Sequence, residues 1–335
     1  MRESWAKRFL TKAARRAKGN GLLFPTIVQG FRLLQGMGIN VTPNHFYWPV
    51  PDVAELERRE WPIYTTPPGC NFHLREQLDL AKVFASRYVP ELRWDERATP
   101  DSYHYHNGYF ESCDAEVAYC MVRHWKPRRI IEIGSGYSTR VMAQALRANR
   151  ERDRVPGELL TIDPHPERLP ENGLGELVTV VPERVQNLDL ALFESLGADD
   201  ILFVDSSHVV SVGSDVVREY LQIFPRLTSR VLVHVHDIFL PADYPRSAVL
   251  ENLWFWSEQY LLQAFLAFNP EFEVLWSASA MQLSHARTME MCFPKWAESY
   301  TEMPRGKRRF IPTADGNRVW PSSFWMRRVP AGSAS

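Results

Sequence analysis

The stretch Arg129-Ile130-Ile131-Glu132-Ile133-Gly134-Ser135-Gly136-Tyr137-Ser138-Thr139-Arg140 limits what this chain can become more than any other. A β-branched apolar run ends around Glu132 and passes through two glycines. A helical pattern, Val141 to Leu146, then follows, for which Ser138 or Thr139 is the cap. The reading is a strand, a ligand-binding loop and a helix. Glycines allow a sharp turn and let a ligand approach where a Cβ would stand. The helix start offers unpaired N–H groups and a positive dipole end. The third glycine that would admit a pyrophosphate is missing, and Glu132 sets a negative charge beside the loop. Both features suit a cationic ligand group better than a phosphate. A plain glycine turn joining strand to helix is the alternative.

Asp163 ends the next strand-like run, Leu159 to Ile162, where a carboxylate is placed to accept both ribose hydroxyls of an adenosine ligand. A helix-cap or turn aspartate is the simpler alternative. The glycine segment resembles the first motif of the class I S-adenosylmethionine-dependent methyltransferases, a strand ending in Glu/Asp-x-Gly-x-Gly. The resemblance implies S-adenosylmethionine as cofactor. It puts Glu132 near the methionine ammonium, Gly134, Ser135 and Gly136 under the cofactor, and Asp163 in the family's second motif. Tyr137 joins the candidate cofactor contacts at a position where many members carry a small residue. Gln186 stands where the family contacts adenine and has both a donor and an acceptor for the ring edge.

Strand-like runs alternate with helical patterns: Arg129–Ile133, Leu159–Ile162, Val178–Val181, Ile201–Val204 and Val231–Val235. Such alternation predicts a parallel sheet covered on both faces. A single long helix is expected from Ala248 to Ala267, followed by strands at Phe272–Trp276 and Ser323–Arg327. The tail from Met281 to Pro321 is read as a long excursion between those two strands. The resemblance makes them the antiparallel pair that closes a methyltransferase sheet. The expected fold is therefore α/β, a Rossmann-like doubly wound seven-stranded sheet. Residues 1–105 form an N-terminal extension, a basic helix followed by a segment rich in proline and aromatics, and 106–335 form the methyltransferase domain.

The fourth strand runs into Asp205-Ser206-Ser207-His208 and the fifth into His234-Val235-His236-Asp237. Carboxyl ends of adjacent parallel strands converge on one crevice, so Asp205, His208, His236 and Asp237 are expected in one site. Alternation puts His234 on the same face as His236, as a contributor or as a buried, satisfied histidine. Catechol O-methyltransferase-like members hold a divalent cation with an acid after the fourth strand and an acidic pair after the fifth, and a base follows three positions past the first acid. That resemblance makes Asp205, His236 and Asp237 candidate metal ligands and His208 the general base, whose ordinary pKa of about 6.5 suits the task. A metal-free His-Asp proton relay is the alternative. The segments around Asp237-Ile238-Phe239 and Glu258-Gln259-Tyr260 resemble a bacterial methyltransferase subfamily, and the likeness covers about residue 107 to the end. Tyr244 and Glu258 are taken as pocket-lining candidates, and Trp254 and Trp256 are weighed as core or pocket.

A net charge of −1 over 335 residues gives no general reason to expect nucleic acid. The first twenty residues nevertheless gather Arg2, Lys7, Arg8, Lys12, Arg15, Arg16 and Lys18 around Trp5 and Phe9, a short basic amphipathic helix. It either packs on its own domain or lies on an anionic membrane surface. No secretory signal or membrane span is expected. The 4 cysteines show no paired spacing and read as reduced thiols of a cytoplasmic protein. The function expected is methyl transfer to an oxygen of a small molecule or saccharide. The rivals are a metal-dependent hydrolase using Asp205, His208, His234, His236 and Asp237, and a cofactor-binding scaffold that does no chemistry.

Overall fold

The computed structural model describes residues 23–42, 44, 48–61, 66–97, 102–170, 174–296, 310–313, 316–319 and 321–330. The expected basic helix of the first twenty residues lies outside them. The chain divides into two compact units, Met1–Arg59 and Glu60–Ser335. The first carries helices Leu23–Gly36 and Val53–Arg58. The second of these is capped by the Asp52 carboxylate, which accepts from the amides of Ala54 and Glu55.

The larger unit begins well ahead of residue 105, because helix Leu74–Arg87 belongs to its core. Phe84 of that helix lies 6.4 Å from the Trp276 ring, and Gln77 accepts from the Ser277 amide at 2.8 Å. The sheet is built from β1 (Arg129–Ile133), β2 (Glu158–Ile162), β3 (Val178–Val181), β4 (Ile201–Val204), β5 (Leu232–Val235), β6 (Phe272–Ser277) and β9 (Phe324–Arg328). A separate hairpin, β7 (Phe310–Thr313) with β8 (Gly316–Val319), lies within the excursion between β6 and β9. Across the sheet the order is β3-β2-β1-β4-β5-β9-β6. The first five strands pair in parallel, while β9 runs antiparallel to both β5 and β6. This is the Rossmann-like seven-stranded sheet with an antiparallel C-terminal pair.

Central strands β4 and β5 are buried along their whole length, which is why they read as unbroken apolar runs apart from His234. One core lies on the face that holds Val117, Met121, Val141, Phe203 and Trp325. The other lies on the face that holds Ile131, Leu202, Val233, Tyr220 and Leu262. Strand order reverses between β1, which continues to β2, and β4, which continues to β5. The crevice above that switch point is where an open α/β sheet binds its ligand.

One element departs from expectation. The helix expected over Ala248–Ala267 is two helices, Arg246–Leu250 and Glu258–Leu266, with an irregular stretch between them. Leu253 interrupts it with a φ of 57°, and the amides of Ser257 and Glu258 donate to the carbonyl of His208, at 2.9 and 3.1 Å. The second helix thus starts where the loop after β4 can cap it.

Candidate active site

The ends of β1, β2, β4 and β5 frame an open cleft of about 670 Å³. On the β1 side, Gly134 has a φ of 94°, and a Cβ there would stand 2.2 Å from the Asp205 carbonyl oxygen. Only glycine lets the β1 loop pass so close to the end of β4. Gly134 and Ser135 line the cleft, and Gly136 leads into the helix Tyr137–Ala148. Asp163 lines it too, with Ser135 Oγ donating to one carboxylate oxygen at 2.6 Å and the His165 amide to the other at 2.7 Å. Gln186 completes this half.

Three of the expected cofactor contacts, Glu132, Gly136 and Tyr137, are not among the residues that line the cleft. Glu132 is fully buried and both its oxygens are taken, by Ser138 Oγ at 2.6 Å and Thr139 Oγ1 at 2.7 Å. Burial pushes its carboxyl up to about 7, against these hydroxyls and that of Thr161. Its role is to tie the loop to the helix start, and it is not among the residues lining the cleft. Tyr137 also turns away. Its hydroxyl meets His104 Nε2 at 3.2 Å and its ring stacks on Tyr109, which does line the cleft.

On the β4 and β5 side, Asp205, His208, His236 and Asp237 come together as expected. His208 Nε2 stands 3.5 Å from Asp205 and 3.7 Å from Asp237, and its Nδ1 meets Glu258 at 2.9 Å. Burial works to lower the His208 pKa, but Asp205, Glu258 and Asp237 raise it well above the usual value. His236 lies between Asp205, 3.4 Å from Nδ1, and Asp114, 3.5 Å from Nε2. The same balance lifts it to about 10. Asp205, which burial alone would raise, is held well below the carboxylate range by the two imidazolium neighbours. The result is a row of alternating acids and histidines running from Glu258 to Asp114.

Glu258 is a buried acid behind the base rather than a wall of the pocket. Tyr244 is buried as well, its hydroxyl accepting from the Gln259 amide, and it does not line the cleft. Asp114 was not legible in the sequence, since an acid in the first turn of a helix is ordinary. Its partners, the amides of Ser322 and Ser323, arrive from 208 and 209 residues away.

The divalent cation expected from the resemblance finds no support. Among the described residues no group of three or more His, Cys, Asp and Glu is arranged to hold a metal ion. Asp205, His236 and Asp237 are close together, and His236 faces a carboxylate from each nitrogen, Asp205 at 3.4 Å and Asp114 at 3.5 Å. The hydrolase reading is not supported either. His234 is fully buried, meets Ser323 Oγ at 2.9 Å and stacks on Phe203 at 3.8 Å, and burial lowers its pKa well below the usual value.

The chain is similar to several known proteins. A family model described as "Methyltransferase domain" matches residues 131–238. A protein of Archaeoglobus fulgidus described as "Uncharacterized protein" is 31% identical over 166 residues, covering 46% of this chain and 72% of that one. Among solved structures, the SAH-bound Podospora anserina methyltransferase PaMTH1 is similar at a TM-score of 0.38 and 16% identity, over 87% of this chain and 100% of that one. The O-methyltransferase from Bacillus cereus in complex with SAH is similar at 0.34 and 13%, over 76% and 91%. With the methyltransferase match spanning the glycine loop and the ends of β2, β4 and β5, the chain belongs to the class I S-adenosylmethionine-dependent methyltransferases.

Proposed function

We propose that the chain methylates an oxygen of a small molecule, with His208 as proton acceptor. The observation that carries this reading is that Gly134, Ser135, Asp163 and Gln186 share one cleft with Asp205 and His208. Bound S-adenosylmethionine would supply an electrophilic methyl on a sulfonium; the acceptor oxygen would attack that carbon in line while the C–S bond breaks and S-adenosylhomocysteine leaves as a neutral thioether. The chain's own residues do the rest. Asp163 accepts the ribose hydroxyls, Gly134 and Gly136 leave room for the methionine portion, and Gln186 meets the adenine edge.

As the new C–O bond forms, the acceptor's O–H bond must break, and an unassisted hydroxyl is a poor nucleophile. His208 Nε2 faces the cleft side of the network and takes that proton, while Glu258 on Nδ1 fixes the tautomer and balances the imidazolium formed. Only the neutral ring can accept. Since its neighbours hold the His208 pKa above the ordinary value, transfer should rise with pH until that ring has deprotonated.

Four buried free thiols, at Cys70, Cys113, Cys120 and Cys292, support a reducing, cytoplasmic setting. No helix among the described residues is long and apolar enough to cross a membrane. No nucleic-acid partner is proposed, and peripheral membrane contact through the basic N-terminus remains a separate proposal. The test is to incubate the purified protein with cell extract and methyl-labelled S-adenosylmethionine, then locate the label by mass spectrometry. Label on an ether or ester oxygen is expected, whereas label confined to nitrogen would overturn the oxygen assignment.

A further inference from the structure

The amino-acid end of S-adenosylmethionine carries an ammonium and a carboxylate, and the cleft treats the two unequally. The acid that the resemblance assigns to the ammonium, Glu132, is fully buried, with its oxygens held by Ser138 and Thr139. A cation, by contrast, does reach the cleft beside the glycine loop. Arg168 lines it, and its stem crosses the loop so closely that a Cβ on Gly136 would stand 3.9 Å from its Cδ.

Arg168 is held at both ends. Its carbonyl accepts from the Arg140 guanidinium at 2.9 Å, and its own guanidinium lies 4.4 Å from the ring centroid of Tyr109, which lines the same cleft. Tyr109 stacks on Tyr137 at 6.1 Å and 15°, and the Tyr137 hydroxyl is fixed in turn by His104 Nε2 at 3.2 Å. An aromatic ring positions a guanidinium without consuming its N–H groups, so the donors of Arg168 stay open. Among the described residues no carboxylate pairs with it. Arg184, the other arginine on the cleft wall, stands just before Gln186 and so belongs to the adenine end.

We propose that Arg168, carried on Tyr109, receives the carboxylate of the cofactor's methionine end, so that the chain selects its cofactor by that group. The inference rests on the cofactor placement given above. With the adenine at Gln186 and the ribose at Asp163, the methionine portion runs over the glycine loop, where Arg168 crosses it. A guanidinium presents paired donors that match the two oxygens of a carboxylate, a geometry that a lysine ammonium does not offer. The nearby Ser135 hydroxyl is no rival donor, because it is already given to Asp163. Arg168 and Tyr109 are both exposed, and solvent limits the contact to about tenfold in affinity.

The test is calorimetry on the full-length protein with two ligands, S-adenosylmethionine and its decarboxylated form, which lacks that carboxylate alone. The unaltered protein should bind the decarboxylated form about tenfold more weakly. Arg168→Ala should weaken S-adenosylmethionine by about the same factor and leave the decarboxylated form within about twofold. Arg168→Lys should recover part of the loss, since it restores the charge without the paired donors. Tyr109→Phe should keep the affinity, and Tyr109→Leu should lose about threefold, again for S-adenosylmethionine only. Equal weakening of both ligands in Arg168→Ala would reduce Arg168 to a cover over the cleft, and unchanged affinity would put the carboxylate elsewhere. Either result overturns the inference and leaves the methyltransferase reading intact. Failure of the unaltered protein to bind either ligand would overturn that reading and this inference with it.

Discussion

The two halves of the crevice are built in opposite ways. The half at β1 and β2 comes from neighbours in the chain: Glu132 is tied to Ser138, 6 residues on, and Ser135 to Asp163, 28 residues on. The half at β4 and β5 is gathered from afar. His208 depends on Glu258, 50 residues away, and His236 on Asp114, which is itself held by Ser322. A cofactor that many proteins share can be held by one compact loop motif. A proton acceptor must be tuned against buried charges, and those come from whichever elements the fold brings near.

If the halves divide the labour this way, changes in each should fail differently. The largest effect belongs to the distant half. His208→Ala should slow methyl transfer by roughly 10²–10⁴-fold at saturating cofactor, as expected for loss of a general base. A folded variant with wild-type turnover would break the assignment. Next comes the local half, where Asp163→Ala should weaken S-adenosylmethionine binding by about 1–3 kcal/mol, read by calorimetry. Unchanged affinity would remove Asp163 from the cofactor contacts.

A smaller effect distinguishes a tuned base from a merely present one. Glu258 raises the His208 pKa, so Glu258→Gln should lower it, and the rising limb of the pH–rate profile should move to lower pH. The rate at the plateau should also fall, by about tenfold, because the imidazolium loses its counter-charge. A profile that does not move would mean that Glu258 holds the fold and nothing more. The smallest expected effect is none: transfer should persist in excess chelator, since His236 is engaged by acids at both nitrogens. Activity abolished by chelation and restored by a divalent ion would reinstate the cation.

What could be read in advance follows the same division. The strand pattern, the glycine turn and Asp163 are encoded by adjacent residues, so β1, β3 and β4 fall where periodicity puts them. Glu132 was visible as a charge beside the loop, but whether it faced the ligand or the helix start depended on Ser138 and Thr139 folding back over it. The break at Leu253 went unseen because its cause, the carbonyl of His208, is distant in sequence. Asp114 carried no signal at all, since nothing near it in the chain announces His236.

The division of labour is tested most directly by titrating S-adenosylmethionine into His208→Ala and Asp163→Ala side by side. The account predicts wild-type affinity for the first and an affinity weakened by about 1–3 kcal/mol for the second. Binding lost in His208→Ala and kept in Asp163→Ala would contradict it, because the cofactor would then sit in the half assigned to the proton.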